Sequence, residues 1–200
     1  MEHPHRVVLL AGPSGSGKSY IAQQTGLPVL CLDDFYKDGD DPTLPQRNGQ
    51  VDWESPQSWD APGAVEIIAR LARDGRADVP VYAIGADRRV ATRPFDVAGS
   101  PIFVAEGIFA AEIVEECRRR GLLAGAYALR RPRGATFLRR LARDLAEQRK
   151  APRVLIRRGV TLLRTEPAVL RRQTGLGAEA ARAREVLRRV ASLLASHPHG

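Results

Sequence analysis

The sequence predicts an α/β fold in which a mostly parallel β-sheet lies between two layers of helices. Short apolar runs recur along the chain, and most are followed by a segment with helical spacing of its apolar residues. Strands that alternate with helices in this way form parallel sheets covered on both faces. The length of 200 residues is typical of one domain, so we expect a single domain over residues 1–200.

The N-terminal part of the chain predicts two buried strands and a long loop. Arg6–Ala11 (RVVLLA) and Leu27–Leu32 (LPVLCL) are apolar runs of strand length, and a helix is expected to begin near Gly17. Residues 38–60 are rich in Asp, Pro, Gly and Gln, which predicts an ordered loop outside the sheet. Because long loops often carry function, this segment is a candidate for substrate binding.

The remainder of the chain predicts further strands and helices. Helices are expected over Pro62–Arg73, Ala111–Arg120, Ala135–Gln148, Val154–Arg164 and Ala178–Ala195. Strands are expected over Asp78–Ile84 and Val90–Thr92, which would form a hairpin, and over Pro101–Ala105 and Leu122–Leu129.

The composition bears on partners and on the compartment. A net charge of +8 is compatible with nucleic acid binding, but the arginine-rich half contains only Tyr127 and Phe137 as aromatic residues. Cys31 and Cys117 lie far apart without metal-ligand spacing, which favours thiols in a reducing compartment. The sequence contains no run with the length of a membrane span or the pattern of a signal peptide. We therefore expect a cytoplasmic protein that binds neither nucleic acid nor membrane.

A complete phosphate-binding motif lies between the first predicted strand and the first predicted helix. Residues 12–19 (GPSGSGKS) match G-x-x-x-x-G-K-[ST] at every specified position, which predicts a P-loop NTPase fold. Lys18 would bridge the β- and γ-phosphates of ATP, and the Ser19 hydroxyl would hold Mg²⁺. The residues expected to bind the nucleotide are Gly12, Pro13, Ser14, Gly15, Ser16, Gly17, Lys18, Ser19 and Tyr20.

Two carboxylates follow predicted strands and are expected beside this loop. Asp33 follows LPVLCL, and Glu106 follows PIFVA. The carboxyl ends of neighbouring parallel strands meet at one crevice, so both side chains would reach the phosphates. Asp33 is the candidate general base and Glu106 the candidate for binding Mg²⁺ or its waters. Capping of a local turn is the alternative role for either carboxylate.

Together these features make the chain resemble the uridine/cytidine kinase family of P-loop kinases, from Val7 to about Lys150. The resemblance rests on GPSGSGKS, Leu32–Lys37 (LDDFYK), Val51–Asp60 (VDWESPQSWD), Pro80–Tyr82, Glu106–Phe109 and the helix FLRRLARDLAEQRK, which occur in the family's order. It implies a three-layer sandwich with a helical lid near 143–156 and a small substrate-binding region near 36–60 and 78–95. It also implies transfer of the γ-phosphoryl group of ATP, with Mg²⁺, to the 5′-hydroxyl of a pyrimidine nucleoside.

The resemblance assigns roles to individual residues on the acceptor side. It implies that Asp33 is the catalytic base and that Tyr36 lies in the substrate pocket. Glu54 stands where the family usually has an aspartate that binds the ribose hydroxyls, with Asp52 as a nearby rival. Tyr82 matches the family's tyrosine near the base, where it would stack, although a strand tyrosine is often part of the core.

The resemblance also assigns arginines to the phosphates and the lid. Arg140 and Arg143 match positions that contact substrate and phosphates, and Arg143 would act as an arginine finger. Arg149 is the candidate for one lid arginine, one residue out of register. A solvated helix face is the alternative role for each arginine. Family members often assemble, which leaves a homo-oligomer open.

The chain departs from the family at the position that reads the base. Where the family carries a histidine, five residues after Tyr82, this chain has Asp87. An ionised carboxylate accepts hydrogen bonds but donates none, so it favours a base edge with N–H donors, such as the amine of cytosine. The acceptor is therefore left open between a nucleoside and another hydroxyl compound, such as a vitamin precursor, sugar or antibiotic.

The identity of the phosphate donor and an alternative class of P-loop protein are left open by the sequence. ATP and GTP are not distinguished as phosphate donors. A P-loop ATPase or GTPase is the less favoured alternative, and the base-reading N-K-x-D motif of GTPases does not occur in the sequence.

Overall fold

The structure is a computed structural model that describes residues 3–97, 99–130 and 167–196. The strands and helices in these ranges are β1 (Arg6–Ala11), α1 (Lys18–Gln24), β2 (Val29–Cys31), β3 (Gln46–Arg47), β4 (Gln50–Val51), α2 (Ala61–Asp74), β5 (Arg76–Ala83), β6 (Arg88–Asp96), β7 (Ile102–Gly107), α3 (Val114–Arg119), β8 (Leu123–Leu129), α4 (167–175), β9 (Glu179–Ala181) and α5 (Ala183–Ala195). Short 3₁₀ turns cover Leu32–Phe35, Pro56–Ser58 and Ala110–Ile113.

Five parallel strands within the described residues form a central sheet in the order β2-β7-β1-β8-β9. Alternate residues of β1 point to opposite faces of this sheet, as the period of two in a strand requires. Val7 and Leu9 pack on the face covered by α2 and α3. Val8 and Leu10 pack on the face covered by α1 and α5. The three-layer arrangement with a parallel sheet, predicted from the sequence, is confirmed.

A smaller region lies beside the sheet. β5 and β6 form the antiparallel hairpin that the sequence predicts, although both strands are longer than expected. The predicted loop 38–60 contains the small hairpin β3–β4, which turns through Asn48 and Gly49 with φ of 53° and 75°. Asn-Gly tolerates the positive φ that such a tight turn requires. Hydrogen bonds from Lys37 N–H to the Ser58 carbonyl at 3.0 Å and from Asp60 N–H to the Phe35 carbonyl at 2.9 Å close the base of the loop.

α2 joins this region to the central sheet and has well-defined ends. At its start, Asp60 Oδ1 accepts a hydrogen bond from Gly63 N–H at 2.9 Å, which satisfies one of the free amides of the first turn. At its end, Gly75 adopts φ of 72°, the left-handed conformation that commonly terminates helices. The sequence prediction Pro62–Arg73 is therefore correct to one residue at each end.

The last part of the described chain differs from the prediction. Ala178–Ala195 was expected to be one helix, but Glu179–Ala181 forms β9 and the helix begins at Ala183. β9 pairs with β8, and Arg130 N–H donates to the Ala181 carbonyl at 2.8 Å. Pairing at the sheet edge overrides the helix propensity of this alanine-rich stretch.

Smaller differences concern other boundaries. The second strand covers only Val29–Cys31, because its flanks enter a turn on either side. Glu106 lies inside β7 rather than after it. The segment predicted as helix from Ala111 begins as a 3₁₀ turn and becomes α-helical only at Val114. The helices expected over 135–148 and 154–164 and the lid expected near 143–156 lie outside the described residues.

Candidate active site

The phosphate-binding motif leaves the carboxyl end of β1 and leads directly into α1. Gly15 and Gly17 adopt φ of 76° and 82°, a conformation that side-chain-bearing residues rarely adopt. A Cβ atom at Gly12 would lie 2.9 Å from Ser16 Oγ and 3.4 Å from Lys18 Cδ, so a side chain there would crowd these two side chains of the loop. Ser16 is fully buried, and its Oγ has no hydrogen-bond partner among the described residues. The glycine positions of the motif therefore match the backbone that the loop adopts.

Lys18 and Ser19, at the start of α1, both approach Glu106 on β7. Ser19 Oγ donates a hydrogen bond of 2.7 Å to Glu106 Oε1, and Lys18 Nζ lies 4.0 Å from Glu106 Oε2. Both Lys18 and Glu106 are buried. Burial raises the pKa of Glu106, whereas Lys18 and the Ser19 hydroxyl lower it. Glu106 is thus in direct contact with the phosphate loop.

Ser19 and Glu106 fit a magnesium ion that is bound together with phosphates. Both present oxygen atoms, the ligands Mg²⁺ prefers, and Glu106 Oε2 is buried without a hydrogen-bond partner in the described residues. Mg²⁺ usually binds through one or two protein groups together with waters and substrate phosphates. In the described part of the chain, no group of three or more His, Cys, Asp or Glu side chains could hold a metal. Ser19 and Glu106 alone would leave most of the coordination of Mg²⁺ to phosphates and waters.

Asp33 lies at the same edge of the sheet as the phosphate loop. β2 pairs with β7 so that Cys31 is opposite Glu106, which brings Asp33 beside the end of β7. Ile108 N–H donates a hydrogen bond of 3.1 Å to Asp33 Oδ1. A Cβ atom at Gly107 would lie 3.0 Å from that oxygen and 2.7 Å from Leu32 Cβ. The absence of a side chain at Gly107 therefore allows the exposed Asp33 carboxylate to sit close to the phosphate loop.

Aromatic side chains gather next to Asp33. The ring of Tyr36 lies 5.8 Å from those of Trp53 and Tyr82 and 5.9 Å from that of Phe109, measured between centroids. Tyr36 Oη donates a hydrogen bond of 3.3 Å to the Trp53 carbonyl. Burial, with a further contribution from Asp33, raises the pKa of Tyr36, so its hydroxyl stays protonated. The structure brings together Tyr36 and Tyr82, as the sequence predicts.

Trp53 and Phe109 were missed as members of this aromatic group. Trp53 stands in the stretch VDWESPQSWD, and Phe109 follows Glu106-Gly107-Ile108, so both occupy segments already singled out. The available signal was their aromatic character next to predicted site residues. Their contact with Tyr36 depends on tertiary structure, which neither segment reveals by itself.

The two rival acids of the loop differ in their contacts. Asp52 is held within the loop, because its Oδ1 accepts a hydrogen bond from Glu54 N–H at 3.2 Å and its Oδ2 lies 3.8 Å from Arg47 Nη1. The Glu54 carboxylate has no hydrogen bond or ion pair within the described residues. It is also among the charges that raise the pKa of Tyr36, so it lies within electrostatic range of that ring.

Asp87 lies at the tip of the β5–β6 hairpin, near Tyr82. Its backbone has φ of 46°, and its carbonyl accepts a hydrogen bond from Gly39 N–H at 2.6 Å. Burial raises the pKa of Tyr82 to about 12, with Asp87 and then Asp38 contributing. The hairpin tip therefore closes against the loop segment, with the Asp87 carboxylate near the aromatic group.

Some expected site residues cannot be placed in this way. Arg140, Arg143 and Arg149 lie outside the described residues. Tyr20 lies on α1 and is 59% exposed, so its ring lies on the surface beside the phosphate loop.

Among the described residues, no helix is both long and apolar enough to cross a membrane.

Solved structures identify the fold as that of the P-loop kinases. A Silicibacter protein assigned as a fructose transport system kinase matches with a TM-score of 0.56 at 19% identity, over 88% of this chain and 89% of that one. Phosphoribulokinase from Rhodobacter spheroides matches with a TM-score of 0.50 at 15% identity, over 86% of this chain and 68% of that one. These similarities, with the complete phosphate-binding motif, show that the chain has the fold of the P-loop kinases.

Sequence comparison is more specific than comparison of folds, and the similar proteins that it finds include uridine kinases. The chain is 31% identical over 148 residues to uridine kinase of Schizosaccharomyces pombe, an alignment that covers 70% of this chain but only 32% of that protein. It is 28% identical over 154 residues to uridine kinase of Lactobacillus johnsonii, covering 71% of this chain and 69% of that protein. No protein-family model matches the chain. The predicted resemblance to uridine kinases is confirmed over about 70% of the chain.

Proposed function

We propose that the chain transfers the γ-phosphoryl group of ATP to a hydroxyl group of a small molecule, with the 5′-hydroxyl of a pyrimidine nucleoside as the first candidate. The observation that carries this proposal is the position of Asp33 beside the loop that holds Lys18 and Ser19. A phosphate loop alone serves hydrolysis as well as transfer, whereas transfer also needs a group that receives the acceptor proton. An exposed carboxylate whose Oδ1 accepts from Ile108 N–H retains Oδ2 for the acceptor.

The protein groups would divide the reaction between them. Asp33 orients the acceptor hydroxyl and receives its proton while the acceptor oxygen bonds to the γ-phosphorus and the bond to the bridging oxygen of ADP breaks. Lys18 and the loop amides bind the phosphates. Mg²⁺, when bound through Ser19 and Glu106, neutralises charge on the phosphates. Arg140 and Arg143 are proposed, from the resemblance to uridine kinases, to contact substrate and phosphates.

The acceptor pocket is proposed to lie between the aromatic group and the loop segment 36–60. Tyr36 and Tyr82 offer ring faces on which a base stacks, and Glu54 has a free carboxylate that suits a ribose diol. Asp87 supports a second candidate, another small hydroxyl compound with N–H donors, because it stands where uridine kinases carry a histidine. The names of the similar proteins refer to uridine and to fructose transport, a nucleoside and a sugar.

A substrate panel with two variants tests the proposal. ATP consumption with Mg²⁺ is measured on cytidine, uridine, sugars, vitamin precursors and aminoglycosides. Asp33→Asn should lower transfer at least a hundredfold, a typical contribution of a positioned base, while ATP binding stays nearly intact. Lys18→Ala should impair both phosphoryl transfer and ATP binding. Loss of ATP affinity in Asp33→Asn would instead assign Asp33 to the metal, and transfer unchanged in that variant would refute its role as base.

A further inference from the structure

We infer that Arg89 is a positioning residue of the acceptor site, which fixes the β5–β6 hairpin against the loop segment 36–60. This inference rests on the proposed function, because it assigns that segment to acceptor binding. Arg89 lies on β6 directly opposite Tyr82 of β5. Its backbone and its side chain both leave the hairpin and bind the neighbouring segment.

Three hydrogen bonds from Arg89 reach three points of the loop segment. Its backbone N–H donates to Asp38 Oδ1 at 2.7 Å. Its Nη2 donates to Asp60 Oδ2 at 2.8 Å, and its Nε donates to the Tyr36 carbonyl at 3.4 Å. Tyr36 and Asp60 stand at the two ends of the segment, so one guanidinium bridges its base.

Asp60 gives this contact a rigid anchor. Its Oδ1 caps α2 through Gly63 N–H, while its Oδ2 receives Arg89. α2 packs on the central sheet through buried residues such as Ile68 and Leu71. The position of the guanidinium is therefore set by the core of the protein rather than by a mobile partner.

The consequence concerns the pair Tyr36 and Tyr82. The carbonyl that receives Arg89 Nε belongs to Tyr36, and Tyr82 is the strand partner of Arg89. Arg89 thus contacts the backbone of Tyr36 and lies opposite Tyr82. The ring centroids of these two tyrosines are 5.8 Å apart. The ion pair with Asp60 is partly exposed, at 37% and 30% of the two side chains, so its contribution to global stability is small. Its role is to fix the geometry of the acceptor pocket.

Substitution of Arg89 should therefore weaken binding of the acceptor and leave binding of ATP intact. Arg89→Met keeps much of the side-chain length and removes both side-chain donors. We expect the KM for the acceptor to rise about tenfold, the loss of roughly one hydrogen bond to a charged group, with the KM for ATP unchanged. Arg89→Lys should recover part of the loss, because a lysine reaches Asp60 but cannot also donate from a planar fork to the Tyr36 carbonyl.

Two further variants provide the controls. Arg88→Met removes the same charge one residue away, and the Arg88 side chain makes no ion pair or hydrogen bond in the described part of the chain. It should leave both KM values unchanged. Asp60→Asn retains an oxygen for the cap of α2 but removes the acceptor of Arg89. It should raise the acceptor KM, and Arg89→Met combined with Asp60→Asn should cost little more than either change alone.

Amide hydrogen exchange provides a readout that does not depend on activity. Lys37 N–H donates to the Ser58 carbonyl across the segment, and Gly39 N–H donates to the Asp87 carbonyl at the hairpin tip. Arg89→Met should speed their exchange, and Arg88→Met should not. Unchanged exchange in Arg89→Met, or equal rises in both KM values, would overturn the inference. If the wild-type protein phosphorylates no compound, the proposed function fails, whereas the exchange comparison still decides whether Arg89 fixes the segment.

Discussion

At the scale of single residues, two carboxylates at adjacent strand ends have different surroundings and therefore suit different chemistry. Glu106 is buried between Lys18 and Ser19, where a metal ion bound with phosphates would compensate its charge. Asp33 is exposed and held at one oxygen by Ile108 N–H. We therefore propose the buried group for binding of a cation and the exposed group for contact with the acceptor hydroxyl.

Gly107 directly follows Glu106 and lies beside the Asp33 carboxylate, so a substitution there tests the position of Asp33. Gly107→Ala would place a Cβ atom 3.0 Å from Asp33 Oδ1 and 2.7 Å from Leu32 Cβ, so the Asp33 turn must shift. Because displacement of a reacting group by about 1 Å can cost roughly a hundredfold in rate, we expect kcat to fall by about tenfold to a hundredfold. The KM for ATP should change little. Steady-state kinetics with ATP and the best acceptor would measure both quantities.

Gly175→Ala is the matched control for this substitution. Gly175 lies at the end of α4, and a Cβ atom there would contact nothing within 4 Å. Its kinetics should match those of the wild-type protein. A kcat of Gly107→Ala that equals the Gly175→Ala value would show that the position of Asp33 does not limit the reaction.

At the scale of elements, the turn that carries Asp33 is held in place by a tryptophan from the loop segment. Trp59 is buried, and its Nε1 donates a hydrogen bond of 2.7 Å to the Leu32 carbonyl. Its ring also lies 6.0 Å from that of Phe109. The segment 36–60 is therefore fixed at its base both by backbone pairing and by this side chain.

Trp59→Phe tests the energetic importance of this contact. Phenylalanine fills part of the site but cannot donate to the Leu32 carbonyl, so we expect a loss of about 1–3 kcal/mol in the free energy of unfolding. Urea denaturation followed by circular dichroism would measure it. Trp53→Phe is the comparison, because Trp53 is only partly buried, and it should cost less than 1 kcal/mol, roughly the level of surface changes. Equal losses in the two variants would contradict this account of Trp59.

The elements also show why some features could be predicted from the sequence and others could not. β1, the phosphate loop and α2 were predicted closely, because contiguous apolar runs, glycines and caps specify them locally. β9 was missed because its strand form depends on pairing with β8. The β3–β4 hairpin had a local signal, the turn sequence Asn48-Gly49, but the whole segment 38–60 was predicted as a loop.

The residues of the candidate site differ in the same way. Lys18 and Ser19 contact Glu106, and Asp33 lies beside the end of β7, because a parallel sheet gathers its strand ends at one edge. Arg89 lies in none of the motifs, Phe109 ends the motif Glu106–Phe109, and for both residues only tertiary structure reveals the contacts. Pairing across distant segments is the information that sequence patterns lack.

At the scale of the whole molecule, fold and sequence similarity carry different information. The fold is shared with proteins named as a fructose transport system kinase and as phosphoribulokinase, so the fold leaves the acceptor open. The proposal of a nucleoside rests on the similarity to uridine kinases, and Asp87 is the departure from that family on which the choice of acceptor depends. Phosphoryl transfer is therefore the primary proposal, and the nucleoside acceptor is the secondary one.

The most direct test of phosphoryl transfer is detection of the phosphorylated acceptor itself. Wild-type protein and Asp33→Asn are incubated with ATP, Mg²⁺ and cytidine or uridine, and ADP, inorganic phosphate and nucleoside monophosphate are quantified by mass spectrometry and phosphate assay. We predict that the wild-type protein forms ADP and nucleoside monophosphate in equal amounts and that Asp33→Asn forms neither at a comparable rate. Release of ADP and inorganic phosphate at the same rate with and without any acceptor of the panel, with no phosphorylated product, would contradict the account and indicate an ATPase.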